Sequence, residues 1–160
     1  MKPGVFLNSM GVAFTLEEML SEMDAFAAGE QNREYSVIIG TDSQVRASET
    51  TFVTAVIIHR IGESARFFYQ RTESRVKLDI TSRILHETSE SIELLEHLVD
   101  SAVIRRLGRD VIEVHIDAGS RGKSQRVMDA CINYVKGMGY QYRVKPEAYG
   151  ATHVADRYTK

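Results

Sequence analysis

Residues 35–44 read YSVIIGTDSQ, an apolar, β-branched run that turns polar at Thr41 and delivers a carboxylate, Asp42, directly behind it. Valine, isoleucine and tyrosine fit a half-buried pleated surface, so a strand is expected over 35–41 with Asp42 at its end. Two more such runs follow at once, TFVTAVIIHR (51–60) and ARFFYQR (65–71). The short Ile61–Ser64 link contains Gly62 and predicts an antiparallel hairpin between them. Further on, VIEVHID (111–117) makes a fourth strand that again ends on a carboxylate, Asp117. Tyr140 to Lys145 makes a fifth, stopped by Pro146.

The helices fill the gaps. Over residues 15–28, Leu16, Met19, Leu20, Met23 and Phe26 recur at helical period. Thr15 and Glu18 have capping-box spacing there, and Gly29 closes the segment. From Asp79 to Leu107 one long helix is expected on the stripe Ile80, Ile84, Thr88, Ile92, Leu95, Val99 and Val103, ended by Gly108. Residues 123–138 form the next helix, with Val127, Ala130, Cys131, Tyr134 and Val135 on one face, and 151–160 a short terminal one. The order is a helix followed by βββαβαβα, which implies an α/β fold with a mixed five-stranded sheet. The 160 residues fit one domain, 1–160, with 1–33 as an N-terminal helical extension.

Composition narrows the class. With 43% hydrophobic and 26% charged residues the chain can build a core and is not a disordered polyelectrolyte. The single cysteine, Cys131, forms no internal disulfide and sits on a helix face as a small core residue. No apolar run has membrane-spanning length and the first residues lack a signal-peptide core, so a cytoplasmic protein without a membrane partner is expected. The net charge of −2 hides an asymmetry. Residues 1–117 carry 12 basic and 19 acidic side chains, a net of −7, whereas 118–160 carry 8 and 3, a net of +5. A positive rim beside an acidic pocket suits a phosphodiester held next to metal ions; a solvated helix surface accounts for the same charges.

The carboxylates carry the chemistry. If the first and fourth strands are parallel neighbours, Asp42 and Asp117 emerge at the carboxyl edge where open α/β sheets hold ligands. Two carboxylates held together repel, so a divalent cation is expected between them. Each aspartate alone also fits a turn or cap. The long helix offers Glu87 near the margin of its apolar stripe, with Glu90 as the rival, and Asp156 lies in the terminal helix. The segment Gly122-Lys123-Ser124 is not a phosphate-binding P-loop, because the leading glycine would have to stand at 117, which is Asp.

Several of these segments together carry a resemblance. GTDSQ (40–44), FVTAVIIHR (52–60), HETSESIELL (86–95), VHIDAG (114–119), KPEA (145–148) and VADRYTK (154–160) resemble the YkuK family of bacterial ribonuclease H-like proteins, from about residue 5 to the end. The resemblance implies a ribonuclease H-like fold with acidic residues around two metal ions, and by position these are Asp42, Glu87, Asp117 and Asp156. His153, three residues before Asp156, resembles the His-x-x-Asp ending of RuvC-type nucleases and would join the metal ligands. An oxygen-rich shell of this kind suits Mg²⁺ or Mn²⁺. Ser43 and Gln44 beside Asp42, and Arg121 and Lys123 after Asp117, are the candidate substrate-binding residues. The expectation is a metal-dependent nuclease-type phosphodiesterase acting on nucleic acid, whether RNA, DNA or hybrid. A binding module of the same fold and a small-molecule phosphate hydrolase are the alternatives.

Overall fold

A computed structural model describes residues 4–116 and 124–144. The three central strands are β3 (Tyr35–Arg46), β4 (Glu49–Arg60) and β5 (Ala65–Ser74). They form an antiparallel meander whose register pairs Val37 with Ile58 and Ile58 with Arg66. Gly62, at φ +82°, supplies the left-handed residue of the β4–β5 turn that a β-branched side chain would resist. On the other side of β3 lies β6 (Ile112–Ile116), parallel to it, and beyond that β7 (Gln141–Val144), parallel to β6. The expected neighbourhood of first and fourth strands is therefore present.

Among the described residues the sheet has seven strands where five were expected. Two short ones, β1 (Phe6–Leu7) and β2 (Ala13–Phe14), extend it on the β5 side in the order β2-β1-β5-β4-β3-β6-β7. Asn8 organises their turn by accepting from the Met10 and Val12 amides, and Phe14 packs edge-on against Phe68 at 5.5 Å. The N-terminal region is thus a hairpin plus helix α1 (Leu16–Gly29), whose Thr15–Glu18 capping box forms as read.

One long helix is likewise corrected to two, α2 (Ile80–Val99) and α3 (Ala102–Leu107). The Ser101 hydroxyl and amide both donate to the Leu98 carbonyl, at 2.6 and 2.9 Å, and take it away from the helical ladder. The buried face of α2 runs through Ile84, Ser91, Leu95 and Leu98, while Ile80, expected on the stripe, is exposed. On α4 (Ser124–Gly137) the buried residues include Met128, Cys131 and Val135, while Ala130 and Tyr134, expected on that face, are exposed.

The main core lies between the helices and one face of the sheet. Met19, Met23 and Ala27 of α1, and Leu94, Leu95 and Leu98 of α2, close over Val37, Ile39, Val56, Ile58 and Val114. A smaller apolar cluster of Val53, Ala55 and Ile57 occupies the opposite face of β4. No helix among the described residues is long and apolar enough to cross a membrane.

Candidate active site

Strand β3 does not stop at Thr41. It pairs with β4 as far as Arg46 opposite Glu49, so Asp42 is interior to the strand and the reading of Asp42 as its last residue is corrected. Thr41, Asp42, Ser43 and Gln44 all occupy regular pleated positions, and the backbone pairing continues because β4 answers with Thr54, Val53, Phe52 and Thr51. On its other side β3 pairs with β6 only from Val37 to Gly40. From Thr41 onward that edge has no strand partner among the described residues.

Alternation along the strand sorts the side chains. Thr41 and Ser43 face α2, and both are buried. The Thr41 hydroxyl shares hydrogen bonds with Ser91 at 2.7 Å and with Thr54 at 3.0 Å. Ser43 donates to Glu87 Oε2 and accepts from Arg83 Nε at 3.0 Å, while Arg83 Nη2 donates to the Ser43 carbonyl at 2.9 Å. Asp42 and Gln44 fall on the opposite face, Asp42 in the row of Val53. Asp42 therefore lies on the face of β3 opposite the one that meets Glu87, at a position past Gly40, the last residue of β3 that pairs with β6 among the described residues.

Glu87 and Glu90 are both buried, at 9% and 8% exposure, so burial does not separate them. Their partners do. Glu87 is tied to β3 through Ser43, whereas Glu90 accepts from or shares a proton with His86 Nε2 at 3.1 Å. The His86 ring stacks on Phe52, centroids 3.9 Å apart. Helix α2 is capped at its N terminus by Asp79, which accepts from the Ser82 amide at 2.8 Å. That backbone hydrogen bond, reinforced by a hydrogen bond from the Ser82 side chain, holds the Asp79 carboxyl below its usual value.

A cavity of about 10 Å³ separates α2 from the end of β6, lined by Glu87 and Ser91 on one side and Val114, His115 and Ile116 on the other. That is roughly the room one water needs. The larger groove between α2 and α4, about 410 Å³, is mostly apolar, lined by Leu85, Ile92, Cys131 and Tyr134 with Thr88, Ser89 and Glu93 as its polar residues. Chemistry therefore points to the smaller place. Gln44 Oε1 is buried and accepts no hydrogen bond among the described residues. His115, buried on β6, lies 3.6 Å from Glu113, which also pairs with Arg143.

Of the sequence-derived candidates, Ser43 of β3 and Glu87 of α2 are brought into contact, whereas Asp42 and Gln44 lie on the other face of β3. Asp117, Arg121, Lys123, His153 and Asp156 lie outside the described residues. Among the described residues no three His, Cys, Asp or Glu side chains stand close enough to hold a metal ion. Arg83 was not among the candidates, although its place four residues before Glu87 puts it on the same helix face.

The family model described as ribonuclease H-like matches residues 18–160. The chain is also similar to the uncharacterized protein YkuK of Bacillus subtilis (strain 168), at 29% identity over 167 aligned positions covering 98% of this chain and 97% of that protein. No solved structure matches.

Proposed function

Since this chain belongs to the ribonuclease H-like family, we propose that it is a Mg²⁺- or Mn²⁺-dependent phosphodiesterase of nuclease type, acting on nucleic acid through Asp42, Glu87, Asp117 and Asp156. His153 and the cationic residues Arg121 and Lys123 complete the proposed site. The observation that carries the reading is the seating of Glu87, a buried carboxylate fastened to the residue next to Asp42, at the edge of β3 beyond its parallel partner. One oxygen of this buried carboxylate is fixed by Ser43 beside a gap of about one water's size. The parallel register pairs Gly40, two residues before Asp42 in sequence, with His115, two residues before Asp117.

The donors are carboxylate oxygens, which fits a hard cation better than Zn²⁺. Two such ions, when bound, activate a water and stabilise the charge on the leaving oxygen. The chain's own part is to hold the carboxylates in place: Ser43 orients Glu87, and the β3–β4 ladder fixes Asp42. Arg121 and Lys123, so near Asp117 in sequence, would meet the substrate's phosphates as positional contacts.

A panel of single-stranded, duplex and hybrid oligonucleotides in Mn²⁺ tests the reading. Cleavage of at least one, slowed by several orders of magnitude in Asp117→Asn, is expected. Neutralising Arg121 and Lys123 together should weaken substrate binding and flatten its salt dependence with metal binding intact. Metal binding without cleavage of any substrate would replace the enzyme by a binding module, and cleavage of free nucleotides alone by a small-molecule phosphate hydrolase.

A further inference from the structure

Sequence position sets Ser43 next to Asp42 as a substrate contact, but the geometry points elsewhere. Its side chain is 5% exposed and faces α2. A serine hydroxyl has one proton to donate. Arg83 Nε approaches the Ser43 oxygen at 3.0 Å as a donor, so the serine proton is directed to its other neighbour, Glu87 Oε2. Arg83 also grips the Ser43 carbonyl at 2.9 Å, which fixes the strand backbone under the same fork. Arg83 and Glu87 stand one turn apart on α2 with Ser43 of β3 between them, so the three groups lock helix to strand at the carboxylate. The neighbouring hydroxyl, Thr41, is spent on Ser91 and Thr54.

We propose that Arg83, Ser43 and Glu87 form a positioning relay: the arginine sets the serine hydroxyl, and the hydroxyl sets the plane of the Glu87 carboxylate for a divalent cation. Ser43 then acts on the cation through Glu87 and not on the substrate. The relay rests on the reading of Glu87 as a cation ligand. Hydrogen-bond partners behind a ligand typically carry about 10–100-fold in metal affinity.

Calorimetric titration of the full chain with Mn²⁺, alongside its unfolding midpoint in EDTA, tests the relay. Ser43→Ala should lower Mn²⁺ affinity about 10–100-fold. Ser43→Thr, which keeps the hydroxyl, should restore most of it. Arg83→Lys keeps the charge but loses the fork, and should lower affinity in the same direction by less. Oligonucleotide affinity measured in EDTA should not change in Ser43→Ala. Wild-type Mn²⁺ affinity in Ser43→Ala, with weakened oligonucleotide binding, would overturn the relay and return Ser43 to the substrate. If Ser43→Ala does not fold, unchanged affinity in Arg83→Lys overturns it equally. A wild-type chain with no saturable Mn²⁺ binding would instead bring down the metal reading, and the relay with it.

Discussion

From Tyr35 to Gly40, β3 has β4 on one side and, from Val37, β6 on the other, and it turns Val37 and Ile39 into a core closed by Leu94, Leu95 and Leu98 of α2. From Thr41 to Arg46 it pairs, among the described residues, only with β4, and the same helix, nearer its N terminus, meets it with Ser91, Glu87 and Arg83. One strand and one helix thus run side by side through two environments. The difference teaches how a small fold tolerates a buried carboxylate. Each fully buried leucine is worth about 1.5–3 kcal/mol, and that apolar half holds the helix where the polar half needs it. The polar half extends β3 past Gly40, the last of its residues that pairs with β6 among the described residues.

The sharpest way to break this contrast is to neutralise the polar half. Asp42→Asn should reduce cleavage about 10²–10³-fold, roughly 3–4 kcal/mol of lost charge stabilisation, with the urea midpoint almost unchanged. A large fall in stability with intact cleavage would place Asp42 in the framework. The mirror experiment is Leu95→Ala, which should destabilise by about 2–5 kcal/mol in urea while the folded protein keeps its Mn²⁺ affinity. The boundary residue should show an intermediate effect. Thr41→Val strands Ser91 and Thr54 without their shared oxygen and should destabilise by about 1–2 kcal/mol.

The smallest effect expected is on pH dependence at the N terminus of α2. The Asp79 carboxyl lies below its usual 3.8 because of the Ser82 amide, so its folded value is lower than its unfolded one. Its stabilisation is present in full above the unfolded value and is lost as pH falls through the folded one. Thermal unfolding followed through the acid range should lose that increment in the wild type, and Asp79→Asn should flatten it.

The apolar half was the more legible in sequence. Val37, Ile39, Val56 and Ile58 declare their strands by composition, and Met19 and Met23 declare α1 by period. The polar half misled in detail, because Thr41, Ser43 and Gln44 look like the exit from a strand, and only the matching residues of β4 keep them in it. Strands β1 and β2 are two residues each, too short for any period to show. The break after Val99 depends on one serine hydroxyl capturing a carbonyl, a competition that the continuing apolar stripe conceals. Glu87 was legible as a candidate from its place at the stripe's margin, with Glu90 as the rival, but that Glu87 meets Ser43 while Glu90 meets His86 could be seen only in the folded chain. Arg83 escaped notice because its role exists only once helix and strand meet.

The central claim is that the polar half of β3 and α2 is a cation site organised on Glu87 and not on Glu90. Titrating Mn²⁺ calorimetrically into the wild type, Glu87→Gln and Glu90→Gln tests it most directly. The account predicts saturable binding in the wild type, an affinity at least about tenfold weaker in Glu87→Gln, and near wild-type affinity in Glu90→Gln, since charge removal at a ligand acts on the ion itself. Equal affinity in the wild type and Glu87→Gln, or a loss confined to Glu90→Gln, would contradict it.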